Sequence, residues 1–361
     1  MVVNTTKTKI NNEMIRYTKN FIFRNPFHPD KISFTLKLYD WAYRKRNKRI
    51  ADLLLGLPLE KSFNLFYRLY NLMPNSDIGC FIIDGIERKK ILFNGKNIQF
   101  HSIFAKQYEN GYEPETAHLI DLLVGDEGIF YDIGSNWGYF SLYVASRPSF
   151  QGIVYAFEPV PSTYLDLISV VKQANLESKI KCYQVALSDK VGIGEMIFPD
   201  KVHSGWATLI EKTNPNSKNT VKLITIDELH APDPDVIKVD AEGSEEKIFI
   251  GADKLLTNKK PMLIFESWIY RNEVDKTLRV FDFLKRKGYR FFIPCFLELQ
   301  SSLRYVHFES IKEKKGLSLA IKSFNLEDRF LLPNRINCLA CHEMNIEKLY
   351  SIFSESCDES K

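Results

Sequence analysis

From about residue 113 onward the chain alternates short, almost wholly apolar runs with longer amphipathic ones. GIFYDI, GIVYAFEP, IKCYQVALSD, PDVIKVDAEG, PMLIFES and YRFFIP are the apolar runs. PETAHLIDLLV, STYLDLISVVKQANL, SEEKIFIGADKLLTN and DKTLRVFDFLKRKG carry apolar residues at helical spacing between them. Strands buried on both faces and joined by helices require βαβ crossovers, so the expected fold class is α/β: a mostly parallel sheet with helices on both faces. Ligands of such sheets sit beyond the carboxyl ends of the strands, where the strand order reverses. Four of the strand ends carry acids: Asp132, Glu158, Asp240 and Glu266. A carboxylate there is costly unless it is solvated, paired or bound to a ligand.

The flanking segments read differently. Residues 1–75 look helical and irregular, with LYDWAYRKRNKRIADLLLGL at helical spacing until Gly56 and Pro58 intervene. Residues 79–105 look like short strands, with turn dipeptides at Asp84-Gly85 and Asn94-Gly95. An insert over 191–226 holds two further strands, VGIGEMIF and TVKLITI, around KVHSGWATL. The expected organisation is an N-terminal extension (1–112), a core domain (113–345) and a tail (346–361).

Composition narrows the class. The 361 residues are 45% hydrophobic and 26% charged, as in ordinary globular chains. No apolar run reaches the ~20 residues that span a bilayer, and MVVNTTKTKINNEM has no apolar signal core; a cytoplasmic location is expected. Six scattered cysteines make no disulfide framework. The net charge of +4 hides an asymmetry, because residues 1–100 hold 18 Lys+Arg against 8 Asp+Glu. The cluster Arg44, Lys45, Arg46, Lys48 and Arg49 dominates it, leaving open a peripheral membrane or partner contact through the basic N-terminal segment. It lacks the interleaved aromatics of a base-stacking platform, so no nucleic acid is expected.

The turn after the first core strand, FYDIGSNWGYFS, reads D-x-G-x-x-x-G. It lacks the G-x-G-x-x-G of dinucleotide sites, and no G-K-[ST] follows. Gly134 and Gly138 suit a ligand lying across the strand end, and Asn136 makes close approach of a pyrophosphate less favourable. Glu158 ends the next strand, where an acid accepts both hydrogen bonds of a ribose diol. A ribose without pyrophosphate points to S-adenosyl-L-methionine, whose sulfonium and amino group Asp132 would face favourably.

The segments FYDIGSNWGYFSL, VYAFEPVPSTYLDL, YQVALSD, LITIDEL, VIKVDAEGSEEKIFIGADKLL and PMLIFES, in this order over roughly 130–267, resemble the FkbM-type methyltransferases, a branch of the class I S-adenosylmethionine-dependent enzymes. The resemblance implies a Rossmann-like sheet of seven strands and methylation of hydroxyls on sugars or related natural products. It implies that Asp132, Gly134, Asn136 and Gly138 form the cofactor loop, that Glu158 binds ribose with Pro159 starting the turn after it, and that Ala186 and Leu187 lie near the adenine. Asp240, Glu242 and Gly243 resemble the family's D-x-E-G.

Methyl transfer to an alcohol is aided by a general base. The candidates are Asp240, ranked first, then Glu242, Glu266 and His203, with Lys238 orienting an acid or the acceptor. Asp240 could instead cap the helix that follows. Trp206 beside His203 could stack on a sugar. Asp240 and Glu266 could share a divalent ion, but no second acid follows Asp240 directly and no histidine cluster appears, so no metal is expected. CLACH matches a haem-attachment pattern but reads as the last, antiparallel strand of such a sheet; neither haem nor zinc is expected there. The competing functions are methylation of a non-sugar small molecule, a non-catalytic scaffold, and an NAD-linked oxidoreductase. The acceptor is a small molecule or glycan; oligomeric state is not legible.

Overall fold

The computed structural model describes residues 14–16, 24–47, 59–73, 76–85, 87–105, 108, 111–198, 207–210, 219–298 and 317–354. The N-terminal region contains β1 (Met14–Arg16), β2 (Phe27–Lys31), helices α1 (Phe34–Asn47) and α2 (Leu59–Leu72), the pair β3 (Ile78–Ile83) and β4 (Lys89–Asn94), and the short helix α3 (His101–Phe104). Strands β2, β3 and β4 form a small antiparallel sheet. Two expectations are corrected here. Residues 1–75 are not helical throughout, since β1 and β2 are strands. The stretch 98–104 is helical rather than extended. Asn97 caps it: its side-chain oxygen accepts from the Gln99 N–H at 3.0 Å, closing the first turn locally.

The core follows as α4 (Pro114–Leu123), β5 (Ile129–Ile133), α5 (Tyr139–Ala145), β6 (Ile153–Phe157), α6 (Pro161–Gln173) and β7 (Ile180–Tyr183). An excursion gives β8 (Ala186–Leu187), β9 (Gly192–Ile197), β10 (Thr208–Ile210) and β11 (Thr220–Ile224), a second small sheet of order β10-β9-β11-β8. IKCYQVALSD is therefore two strands in two sheets, not one. The chain returns through β12 (Val236–Val239), α7 (Glu245–Ile250), α8 (Asp253–Asn258), β13 (Met262–Trp268), α9 (Val274–Arg286), β14 (Tyr289–Glu298), β15 (Leu317–Phe324), β16 (Arg335–His342) and α10 (Ile346–Ser354). The single helix expected over SEEKIFIGADKLLTN is two. Gly251 breaks it where its backbone meets Ser188: a Cβ there would lie 2.0 Å from the Ser188 carbonyl oxygen.

The main sheet has the order β1-β15-β14-β16-β13-β12-β5-β6-β7. Strands β13, β12, β5, β6 and β7 pair in parallel; β16 runs antiparallel between β13 and β14, as the CLACH reading expected. The sheet is mixed and mostly parallel. It holds nine strands among the described residues rather than seven, because β15 pairs antiparallel along β14 from Phe291↔Phe324 to Glu298↔Leu317 and β1 pairs with β15.

Period-two alternation divides the core between the faces. Phe130, Val154, Val236 and Ile264 belong to one apolar cluster with α5, α6 and the N-terminal region. Tyr131, Tyr155, Ile237 and Phe265 belong to the other, with α7, α8 and α9. Cys338 and Cys341 are buried in opposite clusters, so they face away from each other across the sheet. The chain order reverses between β5 and β12, which sets the crevice of the sheet at their carboxyl ends. No helix of the described residues is long and apolar enough to cross a membrane.

Candidate active site

A cavity of about 270 Å³ opens above that crevice. The β5–α5 loop forms its floor. Gly134 and Gly138 both adopt left-handed backbone, φ 73° and 95°. A Cβ on Gly134 would lie 1.8 Å from the Asp240 carbonyl oxygen, and one on Gly138 would lie 2.6 Å from Leu167 Cδ1. The glycines thus give room chiefly to protein: the missing Cβ at 134 lets the end of β12 close onto the loop, where the Asp240 N–H donates to the Ile133 carbonyl at 3.0 Å.

Glu158, at the end of β6, is buried. Its Oε2 accepts from the Asn136 N–H at 3.0 Å and its Oε1 from the Val160 N–H at 2.8 Å. These bonds fix the carboxyl plane while each oxygen retains a lone pair for a further donor. Burial pushes its pKa up to about 7, and the two backbone donors oppose that rise. Pro159, Ala186 and Leu187 join the same wall. Asn136 itself sits at φ 53°, with its Oδ1 accepting from the Trp137 N–H at 2.8 Å.

Alternation brings Asp132, Lys238 and Ile264 side by side across three strands on one face. Asp132 is buried, and Ser141 Oγ donates to its Oδ2 at 2.6 Å; burial raises its pKa against the pull of Lys238. Lys238 is buried with its Nζ 3.1 Å from Asp240 Oδ2 and 4.5 Å from the centre of the Phe140 ring. Burial alone would lower its pKa, but Asp240, Asp132 and Glu113 outweigh it, and the ammonium is held above its ordinary value. Asp240 does not cap α7, whose N-cap position is Ser244. Glu245 is structural, its Oε1 accepting from the Ala241 and Gly243 N–H groups at 3.2 Å each.

Glu242 lines the cavity at φ 47°. Burial, then Asp240 and Glu266, push its pKa up to about 8. Glu266 accepts from Trp268 Nε1 at 2.6 Å and from Arg335 Nε, so both its oxygens are engaged; burial and Asp240 raise it to about 7. Carboxylate oxygens of Asp240, Glu242 and Glu266 lie within 4.8 Å of one another. His203 and Trp206 lie outside the described residues.

Sequence reasoning missed six contributors. Glu113 is left-handed at φ 41°, with Asn337 Nδ2 donating to it at 3.0 Å and Arg335 Nη2 at 3.5 Å; burial, then Asp240, raise its pKa. Arg335 lines the cavity from β16. Trp137 stacks on Phe100 at 4.7 Å and meets Phe27 and Phe81 edge-on, tying the loop to the N-terminal sheet. Tyr39, Tyr108 and Tyr112 extend the wall from the N-terminal region. Only Glu113 had a visible signal: the residue before a proline avoids the right-handed helical region.

The fit to an adenosyl sulfonium rests on donors and acceptors already in place. Asp132 Oδ1 and Ser135 Oγ are buried at the loop with no hydrogen-bond partner within the protein, each Glu158 oxygen accepts one backbone N–H and could accept a second donor, and the acids around the crevice outnumber Lys238 and Arg335.

One family model and several solved structures are similar to parts of this chain. The family model described as methyltransferase FkbM domain matches residues 132–291. Among solved structures, the methyltransferase FkbM from Methylobacillus flagellatus is 16% identical, with 64% of this chain and 53% of that chain covered and a TM-score of 0.38. This chain therefore spans about half the length of that relative. The precorrin-6y C5,15-methyltransferase from Geobacter metallireducens is 15% identical, covering 61% and 92%, at TM-score 0.34. An O-methyltransferase from Bacillus cereus in complex with SAH is 15% identical, covering 58% and 80%, at TM-score 0.30. No curated protein matches the chain significantly. Residues 132–291, rather less than half of the chain, are thus similar to the methyltransferase FkbM domain.

Proposed function

We propose that the chain is a methyltransferase that uses S-adenosyl-L-methionine to methylate a hydroxyl of a sugar, a glycan or a glycosylated small molecule. The observation that carries this reading is the convergence of Glu158, the Gly134–Gly138 loop and the Lys238–Asp240 pair on one cavity whose outer wall bears three tyrosines. When bound, the donor supplies an electrophilic methyl on a sulfonium. Glu158 would hold the ribose, Asp132 and Ser135 the polar end, and Ala186 and Leu187 the adenine side. Aromatic walls with a few placed polar groups suit a sugar, whose C–H faces stack while its hydroxyls hydrogen-bond.

What remains for the chain is to orient the acceptor hydroxyl and take its proton. Lys238 donates to Asp240 Oδ2 and holds that carboxylate in place. Asp240 Oδ1 is left to accept the acceptor O–H, so Asp240 is the first choice of base. Glu242, across the cavity, is the second. Glu266 serves by anchoring Arg335. The N-terminal extension contributes the acceptor wall through Tyr39, Tyr108 and Tyr112.

Transfer of a labelled methyl group from the donor to a panel of free and lipid-linked sugars tests the proposal. Incorporation into a sugar hydroxyl supports it, with Asp240→Asn lowering kcat by roughly 10²-fold or more while donor binding stays within a few-fold. Incorporation only into amines, or none with any sugar while the donor binds, contradicts the sugar assignment.

A further inference from the structure

Helices α1 and α2 pack against each other through Tyr39 and Phe66, whose rings lie 5.5 Å apart. The start of α1 and the residues just beyond α2 meet where Asp77 accepts from the Phe34 and Thr35 N–H groups, so the pair is antiparallel. The inner faces are satisfied: Leu36, Tyr39, Ala42 and Phe66 are buried in the main core cluster. The outer faces carry large apolar residues. Phe34 is 59% exposed and Trp41 40%; Leu65 is 43% and Leu72 76%. Each pair is spaced seven residues apart, two turns along one stripe. Antiparallel packing sets Phe34 level with Leu72 and Trp41 level with Leu65. Four bulky side chains therefore mark the corners of one apolar patch.

Exposed cations border the patch, with the half-buried Asp40 on α1 beside them. Lys37 and Arg68 are exposed and lie within the same stripes, three residues on from Phe34 and Leu65. Over α1 and α2 together the sequence holds six Lys+Arg and two Asp+Glu. A protein partner's apolar groove would answer the four hydrophobes but not this excess of cations. An anionic bilayer answers both, because bulky apolar side chains enter the headgroup layer while Lys and Arg extend their stems to lipid phosphates.

We infer that the α1–α2 pair is a peripheral docking surface for anionic phospholipid membranes. The inner face of α1 brings Tyr39 to the cavity, so docking would set the acceptor wall beside the lipid surface. The inference does not depend on which acceptor is methylated.

Co-sedimentation of the full chain with vesicles of phosphatidylcholine, alone or mixed with phosphatidylglycerol, tests it. The wild type is expected to pellet with the anionic vesicles, to remain in solution with the neutral ones, and to be released by about 0.5 M salt. The combined variant Phe34→Ser, Trp41→Ser, Leu65→Ser, Leu72→Ser and the charge-reversal variant Lys37→Glu, Arg68→Glu should each lose binding at least about tenfold, with an unchanged circular dichroism spectrum and unchanged calorimetric binding of the methyl donor. Three results would overturn the inference: no pelleting of the wild type with anionic vesicles at low salt, wild-type pelleting of both variants, or a concentration-dependent dimer that the serine variant abolishes while the wild type ignores vesicles.

Discussion

Single residues decide the protonation chemistry of this site. Glu158 is uncharged over part of the physiological range because burial lifts its pKa to about 7, yet accepting two ribose hydroxyls requires the carboxylate. Donor affinity should therefore rise as pH increases from 6 to 8. Calorimetric titrations at both values check this, and in Glu158→Gln the trend should vanish. Glu242, lifted to about 8, offers a second readout. If Glu242 is the base, the rate climbs through pH 8 and Glu242→Gln abolishes the climb; the Asp240 assignment predicts no such climb from Glu242 and a variant that keeps most of kcat. Much of this was legible in the sequence. Acids at strand ends announce themselves, and Asp132, Glu158, Asp240 and Glu242 all fall at the crevice. Arg335 was not legible, because its role comes from strand register, which a linear pattern does not encode; Glu113 left only the mark of a residue before proline.

The second scale is that of the elements. The β5–α5 loop is held from below by β12 and from outside by the N-terminal sheet. Gly134→Ala would force a Cβ into the Asp240 carbonyl at a left-handed φ, and neither can yield without moving the end of β12. A loss of at least about 2 kcal/mol in denaturant titration is expected, with donor binding weakened as well. Trp137→Ala should cost about 3–5 kcal/mol by opening a cavity among Phe27, Phe81 and Phe100. Strand–helix alternation made most core elements readable, because burial on both faces leaves an almost uninterrupted apolar run. The reading failed where local hydrogen bonds or close packing overrule pattern: Asn97 turns an apparent strand into a helical turn, and Gly251 splits a helix.

For the whole molecule, the crevice stores carboxyl groups that burial keeps from ionising. Glu158, Glu242 and Glu266 have folded pKa values of about 7, 8 and 7, against 4.5 when exposed. Between pH 4.5 and 8 the folded state therefore binds more protons than the unfolded state, and stability falls as pH rises. The ligand-free protein should melt at a higher temperature at pH 5.5 than at pH 8 in scanning fluorimetry. Added donor should narrow the gap, since it favours the ionised Glu158. A flat or reversed profile would mean that water or counter-ions already solvate these groups. The edge strand β1 was beyond sequence reading because an edge strand is specified by its neighbour's unpaired ladder more than by its own alternation.

The central claim is that an adenosyl sulfonium sits across the β5 and β6 ends with its ribose on Glu158. Calorimetric titration of S-adenosylhomocysteine into the wild type and Glu158→Ala tests it most directly. The account predicts one site per chain in the wild type and affinity at least roughly tenfold weaker in the variant, from the loss of charge-assisted hydrogen bonds. Equal affinity in the two proteins, or no binding to the wild type, would contradict it.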